Sequence, residues 1–404
     1  MEILQAFRFK VEPDGEQRHN MRRTGGACRF VFNKALVLQK ENHESGNKFI
    51  SYVTMVKELT HWRNSTETPW LKEAPCHSLQ HSLKDLERSF KNFFAKRTAF
   101  PRFKKKGDGC SFRYPDPKQI KLDQENSRIF LPKLGWMSYR NSRKVVGELR
   151  NVTVSESAGD WFVSIQTFRE ELRPATTATT VVGIDVGIAR FATMSDGSYI
   201  EPLSSFKKHS NRLVKYQRKM SRKVKFSNNW KKAKSKVQKI HTQIANARKD
   251  FLHKITTTIS KKHALVCIED LQIRNMSKSA AGTSEDPGKK VKQKSRLNRS
   301  ILDQGWGIFR AQLDYKLNWA GGMLLTVPAA NTSRTCPDCH HVSADNRKTQ
   351  ASFECVICNY SNHADMVGAV NILERGYRLL ACGESAKSLS MKQEPAEVSQ
   401  LAFS

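Results

Sequence analysis

Two Cys-x-x-Cys pairs, Cys336-Pro-Asp-Cys339 and Cys355-Val-Ile-Cys358, constrain this chain more tightly than any other feature in it. Fifteen residues separate them. Two such knuckles can bring four thiolates to the corners of one tetrahedron, the geometry of a structural Zn²⁺ site. With sulfur at all four corners no open position is left for catalysis. One structural Zn²⁺ is therefore expected at Cys336, Cys339, Cys355 and Cys358. A disulfide framework does not fit, because the chain has nine cysteines and Cys28, Cys76, Cys110, Cys267 and Cys382 are scattered without pattern. That usage implies a reducing, cytoplasmic compartment. Zinc ribbons serve many roles, so the motif speaks for metal and says little about function.

A length of 404 residues calls for two or three domains. Lys and Arg exceed Asp and Glu by 31. Such an excess repels itself unless a polyanion neutralises it, and nucleic acid is the obvious polyanion. A membrane is the rival. No uncharged apolar run reaches the roughly 18 residues a spanning helix needs. The start, MEILQAFRFKVEPDGE, lacks the basic-then-apolar layout of a signal peptide. No membrane partner is expected.

Residues 1–11 alternate, with Ile3, Phe7, Phe9 and Val11 on one side, which predicts a half-buried strand. Residues 17–105 read as helical. In SLQHSLKDLERSFKNFF, Leu79, Leu83, Leu86, Phe90 and Phe93 recur at spacings of four and three, one apolar stripe opposite a polar, basic face. Pro101 closes that section. Residues 111–170 read as short strands, with a hairpin turning at Gly159 and Asp160. Strands thus bracket a helical insert: a β-barrel-like domain at 1–15 and 106–172, interrupted by a helical lobe at 16–105. RPATTATT, 173–180, is a polar linker.

From residue 181 the pattern becomes α/β. VVGIDVGIARFATMSDGSYIE predicts strand, tight turn and strand, and ALVCIEDL another buried strand. Residues 207–254 are helical and carry 17 Lys and Arg against one acid, Asp250. Residues 277–300 are rich in Lys, Ser and Gly and are expected to be a mobile loop. A helix and the apolar strand MLLTVPAA follow, then the cysteine cluster at 336–359, then a helix from about Ala364. The α/β domain is placed at 181–335 and 360–380, and a disordered tail at 383–404.

Three acids sit where backbone elements end. Asp185 follows an apolar run, Glu269 closes ALVCIE, and Asp365 opens the helical pattern ADMVGAVNIL. Alternation puts Cys267 and Glu269 on one side of their strand and Val266 and Ile268 on the other. Taken singly, each reads as a turn residue or helix cap. As a set they suit phosphodiester hydrolysis, which needs a polarised phosphoryl oxygen, an activated water and a stabilised leaving oxygen. Two Mg²⁺ ions about 4 Å apart supply all three, held by carboxylate oxygens.

In the basic region, apolar residues at Leu213, Tyr216, Met220, Val224, Trp230, Val237, Ile240 and Ile244 leave faces that are nearly all cationic. A solvated helix face usually mixes signs. A phosphate-contacting surface is expected instead, with Lys215, Arg218, Arg222, Lys231 and Lys232 among its contacts. Arg102 and Lys104 form a second basic group beside Phe100 and Phe103. Gln80, His81 and Lys84, at the polar edges of the apolar stripe, are further candidates. Such phosphate contacts position a duplex without reading its sequence.

Together GIDVG, IEDL, AD-xxx-A-x-NI and TSRTCPDC…CVIC resemble the TnpB family, transposon-encoded proteins related to type V CRISPR effectors. The resemblance extends to RFVFNKAL (29–36), LQHSLKDLERSFKNFF (79–94), FPRFKKK (100–106) and NARKDFLHK (246–254), and so covers about residues 1–380. It implies a multidomain α+β protein. An N-terminal β-barrel-like wedge domain with a helical recognition insert would precede a RuvC-type, RNase H-like α/β nuclease domain carrying the zinc ribbon. It implies that Asp185, Glu269 and Asp365 bind two catalytic Mg²⁺. It also implies a guide RNA from the transposon end, a double-stranded DNA target beside a short recognised motif, and a lid at 277–300. Base pairing would then supply the specificity. A companion transposase encoded in the same element is a further expected partner. The setting would be the cytoplasm of a bacterium or archaeon, at the nucleoid when DNA is bound. One departure stands out: Val367-Gly368 replaces the Asn-Ala pair of many relatives, while all three acids are kept.

Three other readings compete. A guided repressor without cleavage would be expected to lose an acid. A direct DNA transposase fits the acids and the zinc site but not the guide-binding features. A zinc-ribbon DNA-binding protein with no chemistry leaves Asp185 and Glu269, at the ends of buried strands, unexplained.

Overall fold

The structure, a computed structural model, describes residues 1–107, 109–172 and 174–382. The expected disordered tail lies outside the described residues. The chain forms two compact units, the first ending at Leu172 and the second following it.

In the first unit, β1 (Glu2–Glu12) buries Ile3, Phe7, Phe9 and Val11, as the alternation predicts. Asp14 then starts α1 (Gly15–Glu44). Its carboxylate accepts the Gln17 N–H at 2.7 Å while the Gln17 side chain accepts the Asp14 N–H at 3.2 Å, a reciprocal cap. The helices α2 (Tyr52–Asn64) and α3 (Cys76–Phe94) follow. Leu79, Leu83, Leu86 and Phe90 of α3 are buried, and Phe93 is only half-buried. The helical section stops at Phe94, short of Pro101, where Lys96 at φ 56° turns the chain aside.

Six strands complete this unit: β2 (Cys110–Tyr114), β3 (Lys121–Asp123), β4 (Arg128–Leu131), β5 (Gly135–Tyr139), β6 (Glu148–Ser157) and β7 (Asp160–Glu170). With β1 they make one antiparallel sheet in the order β2-β6-β7-β1-β5-β4-β3. It is an open sheet rather than a barrel: the end strands β2 and β3 are short, and among the described residues no pairing joins them. The hairpin turn sits one residue earlier than expected. Ala158 and Gly159 take φ 53° and 90°, the left-handed pair of a two-residue turn, and Asp160 already pairs with Ser157. Val31, Leu36, Leu59 and Leu83 from the helices share one core with Phe7, Ile129, Val154 and Ile165 from the sheet. The helical segment expected as a separate lobe has no core of its own, because the sheet completes its apolar stripes.

In the second unit, β8 (Thr180–Val186), β9 (Ala192–Met194) and β10 (Tyr199–Ile200) form an antiparallel meander. The basic region is a hairpin of α4 (Ser205–Ser221) and α5 (Asn228–Lys262). Then come β11 (His263–Glu269), the short α6 (Ile273–Met276), α7 (Val291–Gln304), α8 (Trp306–Trp319) and β12 (Met323–Val327). The ribbon strands β13 (Ser352–Glu354) and β14 (Ser361–His363) lead directly into α9 (Ala364–Ala381). The sheet order is β10-β9-β8-β11-β12, with β8, β11 and β12 parallel.

Val182, Ile184, Val266 and Ile268 pack with Leu252, Ile259, Phe309 and Leu313 on one face of this sheet. Leu265, Cys267 and Ile372 pack on the other, so α9 covers the face to which Asp185 and Glu269 belong. The approach is close at Gly183, where a Cβ would fall 2.3 Å from the Ala369 carbonyl oxygen.

The expected mobile loop at 277–300 is only partly a loop, since residues from Val291 onward are helical. Composition hid the anchors. Lys294 Nζ donates to the Met276 carbonyl at 2.7 Å, and Asn298 Nδ2 donates to those of Ser277 and Lys278 at 3.0 Å. Asp303 accepts from Arg248 Nη2 at 2.6 Å and from the Phe206 N–H at 2.9 Å, tying the end of α7 to both helices of the hairpin.

Candidate active site

Asp185 and Glu269 lie at the ends of the adjacent parallel strands β8 and β11, where Ile184 pairs with Ile268 one residue earlier. Each therefore emerges at the same edge of the sheet. Asp365 reaches that edge from the first turn of α9. The reading of Asp365 as a simple cap fails, because His363 takes that role: its Nδ1 accepts the Asp365 N–H at 3.2 Å. The Asp365 carboxylate stays available at a helix N-terminus, where negative charge is favoured.

The charges of the other two acids bear on Asp185. Burial, then the charges of Glu269 and Asp365, push the Asp185 carboxyl up to about 7, while Arg347 and the Val186 N–H pull it down. Burial also raises Glu269, against a hydrogen bond from Thr332 and the charge of Arg375. The burial and neighbouring charge that penalise the Asp185 carboxylate are what a divalent cation would relieve, and carboxylate oxygens are the donors Mg²⁺ prefers. The donor set fits that ion.

Several supporting residues escaped the sequence reading. Thr332 Oγ1 donates to Glu269 Oε1. Asn371, buried in α9, donates to the carbonyls of Thr332 and Thr335 at 2.7 Å each. Arg347, from the ribbon, stands 3.9 Å from Asp365 Oδ1. Gly368, one turn beyond Asp365, leaves room for Asp185: a Cβ there would lie 3.0 Å from its Oδ2. Thr332 and Asn371 fall inside the quoted motifs, whereas nothing in the sequence marked Arg347.

The four cysteine sulfurs lie within 4.8 Å of one another. Cys336 to Cys358 and Cys339 to Cys355 are each 3.5 Å, near the roughly 3.8 Å edge of a tetrahedron with 2.3 Å Zn–S bonds. Each knuckle ends in a left-handed residue, His340 at φ 58° and Asn359 at φ 59°, whose N–H returns to the carbonyl of the knuckle's first cysteine at 3.1 Å. Backbone N–H groups of Cys358 and Ile357 pull the Cys355 thiol down while Cys336, Cys339 and Cys358 are raised beside it, so the crowded set favours one thiolate, and a metal would be needed to hold four. The fully buried Asn346 bridges the knuckles. It donates to the Arg334 and His341 carbonyls at 2.9 and 3.1 Å and accepts the Val356 N–H at 3.1 Å. The residues present fit Zn²⁺.

Three sequence models match parts of the chain. One described as "Probable transposase" covers residues 151–280, one described as "Cas12f1-like, TNB domain" covers 306–372, and a "Helix-turn-helix domain" model covers 1–48. In that last span the structure has β1 and the single long helix α1. The chain is 57% identical over 401 residues to "Putative RNA-guided DNA endonuclease InsQ" of Escherichia coli (strain K12), covering 99% of both chains. It is 33% identical over 409 residues to "Putative RNA-guided DNA endonuclease" of Streptomyces pristinaespiralis, covering 98% of this chain and 97% of that one. The chain belongs to the TnpB family. It is also similar to the protein in "Cryo-EM structure of the Cas12f1-sgRNA-target DNA complex", with 12% identity, a TM-score of 0.48, and coverage of 92% of this chain and 98% of that one.

The polar candidates of this TnpB-family chain are spread unevenly. Lys215, Arg218 and Arg222 line one groove on α4, and Arg222 lines a second with Lys232 of α5. Lys231 is exposed nearby. In the first unit Gln80 is half-exposed and Arg102 exposed. His81 is engaged internally, 3.5 Å from Asp85 and 3.4 Å from Arg113. Lys84 Nζ lies 5.2 Å from the Tyr52 ring centre. Lys104 Nζ sits 3.9 Å from the Phe32 ring centre, and burial lowers its pKa. The structure thus brings the hairpin cations together and turns His81 and Lys104 toward protein partners. Among the described residues no helix is long and apolar enough to cross a membrane.

Proposed function

We propose that this chain is an RNA-guided DNA endonuclease that hydrolyses target phosphodiester bonds at Asp185, Glu269 and Asp365. Convergence of these acids at one sheet edge, with Thr332 on Glu269 and Arg347 beside Asp365, carries the reading. Membership of a family whose full-length relatives bear that name supports it. The strand order, an antiparallel meander followed by two parallel strands, suits a RuvC-type, RNase H-like domain.

When bound, two Mg²⁺ ions would polarise the phosphoryl oxygen and activate the attacking water. Asp185, Glu269 and Asp365 would hold them through their carboxylate oxygens. Thr332 holds Glu269 in one rotamer through its hydroxyl. Arg347 places a positive charge at the Asp365 side of the site, where a phosphate oxygen would sit. The four cysteines of the ribbon would hold one Zn²⁺, and the ribbon leads directly into the start of α9. By the same family reading, the guide RNA derives from the transposon end, a short motif beside the DNA target is read by the first unit, and the segment 277–300, a loop up to α7, forms a lid. The setting is cytoplasmic, and a companion transposase would act on the same element.

The test is to express the gene with its native flanking DNA, purify the protein and sequence the RNA that accompanies it. One discrete RNA ending in element-flanking sequence is expected, and a matching DNA should then be cut only with Mg²⁺ present. A smear of cellular RNA, or none, would overturn guidance and favour a direct transposase or a zinc-ribbon binder.

A further inference from the structure

The α4–α5 hairpin carries sixteen Lys and Arg and no Asp or Glu between Ser205 and Lys249. Its seam is closed by Leu213, Val237, Ile240 and Ile244, with Tyr216 and Met220 packed beside them. The apolar positions beyond the seam, toward the turn, are not used for packing. Val224 is 80% exposed and Phe226 66% exposed. Phe226 has φ 71°, a left-handed conformation costly for a bulky side chain. Its ring meets Trp230 edge-on, with centroids 5.5 Å apart. Lys225 and Lys234 each hold an ammonium 5.3 Å from one of the two rings. The strained turn thus presents the exposed Phe226 ring to solvent, backed by the half-buried Trp230 and ringed by cations.

We propose that this tip stacks against unpaired bases of the guide RNA, an inference that rests on the guided reading above. The charge admits only a polyanion, and the two rings offer faces that any base can stack on. Two helices side by side are about 20 Å across, too wide for a DNA major groove of about 12 Å. The tip can therefore meet bases only where they are already unpaired. Folded RNA offers such bases in loops and bulges. A DNA duplex offers them only along the stretch where guide pairing separates its strands, and the strand to be cut must reach the carboxylate edge. The tip is remote from that place: Leu252, where α5 joins the sheet core, is about 36 Å along the helix from Asn228 at 1.5 Å per residue.

The experiment compares full-length wild type with Phe226→Ala/Trp230→Ala, each expressed with the native flanking DNA. Affinity for the RNA that accompanies the wild type is measured across a KCl series, and protein–RNA contacts are mapped by ultraviolet crosslinking. Equal melting temperatures would show that the variant folds. The expected result is an affinity about tenfold to a hundredfold lower at every salt concentration, with unchanged salt slope, and loss of tip crosslinks to unpaired nucleotides. Phe226→Tyr should retain both. Lys223→Ala/Lys225→Ala should instead flatten the slope. A double aromatic variant that binds the discrete RNA as well as wild type overturns the tip's role and leaves guidance standing. So does binding to anionic vesicles lost in the variant while RNA affinity is kept. A wild type that carries no discrete RNA overturns both readings at once.

Discussion

The thiolate cluster and the carboxylate cluster occupy the same unit and are assembled in opposite ways. Each knuckle of the ribbon closes its own turn, through His340 or Asn359, so four ligands arise from 23 consecutive residues, 336–358. The carboxylates come from two strands and a helix start between positions 185 and 365, and only sheet pairing and α9 packing bring them together. Among the described residues the four thiolates are the one set of donors that already closes to within 4.8 Å. A local site survives small changes in the rest of the fold, whereas a tertiary site depends on every element beneath it.

The largest effect should come from Asp185→Ala. Cutting should fall by on the order of a thousandfold or more, while RNA and DNA binding stay nearly intact. Binding lost in parallel would make Asp185 a structural acid and erase the contrast.

Next is the ribbon. Removing Zn²⁺, or making Cys336→Ser, withdraws metal-binding free energy on the order of 10 kcal/mol from this region. Zinc content and melting temperature should both fall. Cutting should fall with them, because Asp365 and Arg347 depend on the ribbon for their positions. A variant with unchanged melting and zinc content would show that the site is not structural.

A smaller effect follows from the raised pKa of Asp185, about 7 in the folded protein against an ordinary value near 4. Between these values the folded state holds a proton that the unfolded chain has lost. Stability of the Mg²⁺-free protein should therefore drop as pH rises from about 4 to 7, by at most about 1.4 kcal/mol per pH unit, and level off above. Asp185→Asn should flatten that slope, and Mg²⁺ at neutral pH should raise the melting temperature of the wild type only. An unchanged slope in the variant would place the titration elsewhere.

The mildest change is Gly368→Ala. Alanine gains up to about 1 kcal/mol of helix propensity but brings a methyl to 3.0 Å from the Asp185 carboxylate. A slightly higher melting temperature and a few-fold change in cutting rate are expected. A much larger loss would mean that the carboxylate has no slack.

What the sequence disclosed follows the same division. The cysteine spacing, the alternation of β1 and the stripe of α3 are local patterns, and each is visible in the structure. The three acids could be picked out by motif, but their convergence could not, since no local pattern encodes which strands become neighbours. Arg347 was invisible because it reaches Asp365 through space from a polar stretch of ribbon. The part of α7 from Val291 to Ser300 reads as loop because its anchors are hydrogen bonds to backbone carbonyls, and the apolar burial of the helix begins only at Ile301. Val224 stands among the apolar positions of the basic region, yet it falls in the turn between α4 and α5 and is 80% exposed.

The ribbon's borders also set rules for anyone recombining such proteins. Chain enters it just after Thr332, which bonds Glu269, and leaves it straight into Asp365, while Asn371 fastens the entry to α9. A ribbon exchanged between relatives at its cysteines alone would sever these ties. The smallest transplantable block runs from Thr332 to Asn371, and its recipient must still offer a carboxylate where Glu269 waits.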